Sequence, residues 1–114
     1  MPVPPGALAD AALPARTILD VPSIASFPPP RLYFEDGIWV LVLPSAPVGA
    51  DGATFDDAVS DFVAALVDYA CDWKSDRRLA RSPAHAKNRT LVDAVLFASE
   101  QELLDWVGRA RLAG

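Results

Sequence analysis

The side chains of this 114-residue chain best equipped for chemistry are Asp57, Asp61, Asp68 and Asp72, with one histidine, His85, and one cysteine, Cys71. The aspartates are spaced by four, seven and four residues, which places them on one face of a helix. Paired carboxylates can hold a metal ion or serve as acid and base. Two-metal nucleases, however, draw such carboxylates from several elements that converge on one cleft. A single stripe does not converge, so it reads as a solvated face or as a surface complementing a basic partner. A sole histidine excludes a multi-histidine metal site, and Cys71 is not spaced with it for zinc. An activated thiolate needs neighbouring cations or a helix N-terminus. Cys71 instead follows Ala70 and precedes Asp72 in the second half of a helical pattern. No glycine-rich phosphate loop and no Gly-x-Ser-x-Gly elbow occurs. The chemistry points to a binding protein without a cofactor rather than to an enzyme.

The net charge of −5 is unevenly distributed. Residues 1–72 carry ten acids and two bases, and residues 73–114 carry eight bases and five acids. Lys74, Arg77, Arg78, Arg81, Lys87 and Arg89 face only Asp76 within residues 74–89. This stretch is either a solvated helix end and loop or a contact patch for an anionic partner, with Arg77, Arg78, Arg81 and His85 as its candidate residues. The overall acidity argues against non-specific nucleic-acid binding by the whole domain. Cys71 has no partner for an intrachain disulfide, and no apolar run approaches the ~20 residues of a membrane span. The N-terminus has no basic region ahead of an apolar stretch. A cytoplasmic protein is expected.

These groups must be positioned by a small set of elements. Ten of the eleven prolines fall in the first 47 residues, disfavouring regular structure over residues 1–30. That segment reads as an extended arm or linker whose Ile18, Leu19, Ile24 and Phe27 can lie along a groove of the domain or on another chain. The domain proper is expected over residues 31–114. Asp36-Gly37 between Leu32–Glu35 and Ile38–Leu43 is a type I′ hairpin signal. The second run is apolar on both faces, as in a strand covered on both sides or capped by a partner. Ala46 to Ala50 can form a third strand before a turn at Asp51-Gly52. Leu32 heads a first strand able to accept a strand from a partner.

Thr54 with Asp57 forms a capping-box-like start to a long helix. Its apolar stripe is Phe55, Ala58, Val59, Phe62, Leu66, Tyr69 and Trp73. The spacing predicts a helix to about Ala80, a strand over Thr90–Ala98, and a last helix opened by Ser99 and Glu102. The expected fold is α+β, a small antiparallel sheet in the order β-β-(β)-α-β-α with helices on one face. Trp39, Trp73 and Trp106 either share its core or anchor a partner.

Asp36-Gly37, Trp39–Pro44, Gly52-Ala53-Thr54, Phe55-Asp56-Asp57-Ala58 and Ala65–Trp73 fall within Tyr33–Trp73, a stretch of about 41 residues. This stretch resembles the HicB-like antitoxin domain, including actinobacterial antitoxins in which such a domain is preceded by a Phd-like DNA-binding segment. It implies a degenerate ribonuclease-H-like fold that neutralises a cognate protein toxin by contact, as a homo-oligomer and without catalysis. Such proteins usually carry a DNA-binding segment. No such motif is read here, which leaves DNA contact open. The alternatives are a non-catalytic dimerisation or assembly module, and a small hydrolase or nuclease using the aspartate stripe and His85.

Overall fold

Asp36 and Gly37 both adopt positive φ, 53° and 78°, in a computed structural model that describes residues 21–113. This is what a type I′ turn demands. The turn joins β1 (Arg31–Glu35) to β2 (Ile38–Leu43), with Leu32 opposite Leu41 and Phe34 opposite Trp39. β3 (Val48–Gly52) pairs with the other edge of β2, Leu43 opposite Val48 and Trp39 opposite Gly52. The sheet is antiparallel in the order β1-β2-β3. Asp51 and Gly52 are strand residues, not the turn expected from their types. Gly52 is required for close approach: a Cβ there would lie 2.5 Å from the Ala58 nitrogen and 2.8 Å from Asp57 Cβ. The start of the next helix thus sits directly on β3.

That helix, α1 (Phe55–Ser75), begins as its cap dictates. Thr54 Oγ1 accepts from the Asp57 amide at 3.1 Å. The full reciprocal box forms only later, at Ser99–Glu102, because glutamate has the reach to return a bond to the cap amide at 2.8 Å. Ala58, Phe62 and Leu66 are fully buried between helix and sheet, and Leu41 meets them from β2. Each large side chain so buried contributes roughly 1.5–3 kcal/mol.

Two helix expectations need correction. The long helix stops at Ser75 rather than near Ala80, because Asp76 is extended (φ −117°, ψ 105°) and its carboxylate accepts from the Arg78 and Leu79 amides. It therefore caps a new short helix, α2 (Arg77–Arg81), which is followed by α3 (Pro83–Ala86). The expected strand Thr90–Ala98 is instead α4 (Arg89–Phe97). Leu91, Val92, Ala94 and Val95 are buried while Leu96 and Phe97 are exposed, a one-sided helical pattern. The β-branched valines suggest a strand, but burial of that face decides the matter. α5 (Glu100–Val107) closes the core with Trp106 and Val107, both at most 1% exposed.

The described part of the proline-rich segment packs on the same core. Ile24, in a 3-10 turn over Ile24–Ser26, is 3% exposed and lies against α4 and α5. The Phe27 carbonyl accepts from Trp106 Nε1 at 3.0 Å. Leu112 pairs with Leu32, and the Ala113 amide donates to the Leu32 carbonyl at 2.8 Å, so the outer edge of β1 is already occupied there.

Candidate protein-interaction surface

The basic residues singled out by the sequence are brought together at the α2–α3 corner. Arg77, Arg78 and Arg81 share one five-residue helix and are exposed, as are Lys87 and Arg89 just beyond it. None of these five makes an ion pair among the described residues. Lys74 does, reaching Asp93 at 2.7 Å while its ammonium lies 5.7 Å from the Trp73 ring centroid.

The corner is held to α1 by a set of half-buried polar contacts. Trp73 Nε1 donates to the His85 carbonyl at 2.9 Å. Asn88, 3% exposed, donates through Nδ2 to Tyr69 Oη at 3.0 Å, and Tyr69 Oη lies 2.8 Å from His85 Nδ1. Through its ring and its carbonyl, His85 ties the basic corner to Tyr69 and Trp73 of α1. Asn88 and Tyr69, its partners, were not among the expected site residues. A lone tyrosine on an apolar stripe gives no sequence signal of such a bond.

The other expected contact residues are placed differently. Ile18 and Leu19 lie outside the described residues. Ile24 and Leu32 are buried within this chain, 3% and 5% exposed, and present no surface to a partner in this conformation. Phe27 is half-buried. Asp57, Asp61, Asp68, Asp72 and Cys71 are exposed along α1, and among the described residues no three His, Cys, Asp or Glu side chains gather to hold a metal ion. No helix among the described residues is long and apolar enough to cross a membrane.

Two further surfaces are apolar: the first depends on α4 being a helix, and the second is the outer face of β2, already apolar by sequence. One is a groove of about 500 Å³ between α1, α4 and α5, floored by Val63, Val67, Val95 and Leu104 and rimmed by Asp68 and Glu100. The other is the outward face of the sheet. There Ile38 and Val42 are 38% and 37% exposed.

No family model and no curated protein matches the chain. A solved structure does. The antitoxin part of a proposed toxin/antitoxin system from Syntrophomonas wolfei subsp. wolfei superposes with a TM-score of 0.65 over 74% of this chain, at 20% sequence identity. The match spans 62% of that structure's chain. What the two share is the fold, which in this chain is an α+β arrangement with a three-stranded antiparallel sheet and helices.

Proposed function

We propose that this chain is the antitoxin of a toxin/antitoxin pair, of HicB-like type, and that it neutralises a cognate toxin in the cytoplasm by protein–protein contact rather than by catalysis. The observation that carries this reading is the fold likeness to the Syntrophomonas antitoxin over three quarters of the chain. The hairpin Arg31–Leu43 and the helix Phe55–Ser75 cover the segments on which most of the HicB-like resemblance rests. The α2–α3 corner supplies the contact chemistry. Arginine presents five fixed donors and a permanent charge, and it is enriched in protein interfaces. Arg77, Arg78 and Arg81 would meet an acidic surface of the toxin, with His85 and Tyr69 fixing the corner from behind.

Co-expression with the product of the adjacent reading frame tests the reading. The expected result is relief of growth arrest and co-purification of the two chains. Persistent arrest without a complex overturns it. The other reading, a dimerisation module, is favoured by a separate observation, the apolar outer face of the sheet.

A further inference from the structure

An antiparallel sheet covered on one side alternates apolar and polar residues, with the polar ones facing water. β2 breaks this rule. Its inward residues Leu41 and Leu43 are buried, but its outward residues Ile38, Val40 and Val42 are apolar too, and β-branched. No described element covers them. The register completes the face. Tyr33 stands opposite Val40, Arg31 opposite Val42 and Glu35 opposite Ile38, while β3 adds Gly49 beside Val42 and Asp51 beside Val40. The outward face is thus an apolar strip along β2 and Tyr33, with a cation at one end of β1 and an anion at the other.

Arg31 and Glu35 are four residues apart on an extended strand, about 13 Å, too far to neutralise each other. Neither makes an ion pair among the described residues. We propose that this face binds a second copy of this chain, sheet face to sheet face, about a two-fold axis parallel to the sheet, midway between the two copies, and crossing the strands at the Tyr33–Val40 pair. That operation lays Arg31 over the partner's Glu35 twice. It sets Val42 over the partner's Ile38, and stacks Val40 on Val40 and Tyr33 on Tyr33. Such isologous self-complementarity is what a two-fold dimer requires. The same operation sets Asp51 opposite its own copy, at the β3 edge, where the contact opens to water and the like charges are screened.

The face is small, roughly 14 by 17 Å from strand spacing and rise. Standard interfaces bury about 800 Å² per partner. The contact is therefore a weak, concentration-dependent one. This inference does not rest on toxin binding, and its test needs no toxin.

Sedimentation velocity on the full chain over a concentration series gives the test, using Arg31→Glu, Glu35→Arg and the double variant. Each single variant places like charges together twice in a homodimer and should weaken self-association at least about tenfold. The double variant, with the charges exchanged, should recover it. An equimolar mixture of the two singles should form a heterodimer, since all its pairs are then of opposite sign. Unchanged far-UV circular dichroism verifies folding of each exposed-site variant. A wild-type chain that stays monomeric to about 1 mM overturns the proposal. So do single variants that dimerise as the wild type does, or folded singles that fail to complement on mixing.

Discussion

Replacing Gly52 by alanine adds one methyl group at the seam between β3 and α1. Its Cβ would stand 2.5 Å from the Ala58 nitrogen, 2.8 Å from Asp57 Cβ and 3.0 Å from the Asp57 carbonyl carbon. Two of these are backbone atoms of a capped first turn, so no flexible side-chain tip can swing away. The helix start must lift from the strand, loosening the contacts of Ala58 and Phe62, which are fully buried. Overpacking of this sort costs about 1–3 kcal/mol. Against it stands roughly 0.4–1 kcal/mol from the stiffer unfolded chain. A net loss of roughly 1–2 kcal/mol lowers Tm by roughly 5–10 °C in a domain of this size.

Gly37→Ala provides the control. Nothing lies within 4 Å of a Cβ there, and only the positive φ of 78° opposes it. That strain is about 1–2 kcal/mol before the same unfolded-state gain. Thermal and urea denaturation followed at 222 nm would compare the two. A variant that shifts the urea midpoint at constant slope has changed stability alone. If Gly52→Ala melts with the wild type, or above Gly37→Ala, the close approach of α1 to β3 is wrong.

Tyr69→Phe leaves the buried Asn88 amide and His85 Nδ1 without their shared partner and should cost about 1–3 kcal/mol, read by urea unfolding. A neutral effect would show that the α2–α3 corner is not held by this chain of bonds. Thr54→Ala removes the acceptor for the Asp57 amide and should cost about 1 kcal/mol in the same assay, with Thr54→Ser largely retaining stability. Replacing Arg77, Arg78 and Arg81 together by glutamate should leave Tm nearly unchanged, since all three are exposed, while weakening toxin capture at least about tenfold. Capture at wild-type strength would move the contact to another face.

The parts of the fold legible in the sequence were those set by local chemistry. Asp36-Gly37 can form a type I′ turn at little steric cost, and Thr54 and Ser99 can each cap a helix, so these signals hold wherever the chain goes. The misreadings share another cause. Gly52 resembles a turn glycine because its true constraint, the Ala58 backbone, belongs to packing. Asp76 looks like one acid within a helix, yet its carboxylate accepts two amides and starts a new helix. Thr90–Ala98 is apolar and β-branched, and only the buried face of Leu91, Val92, Ala94 and Val95 makes it helical. Of the candidate site, the arginine cluster was readable from charge. The burial of Ile24 and Leu32 was not, because it depends on α5 and the Leu112 bridge, far along the chain.

The bonds from Trp106 to the Phe27 carbonyl and from Arg109 to the Ala25 carbonyl span 79 and 84 residues. During translation the hairpin and α1 can assemble as soon as they emerge. Ile24 stays without its cover until α5 has been made. A chain cut before Trp106 therefore leaves this apolar seam open to water, and the indole that closes it joins the two sides by one hydrogen bond.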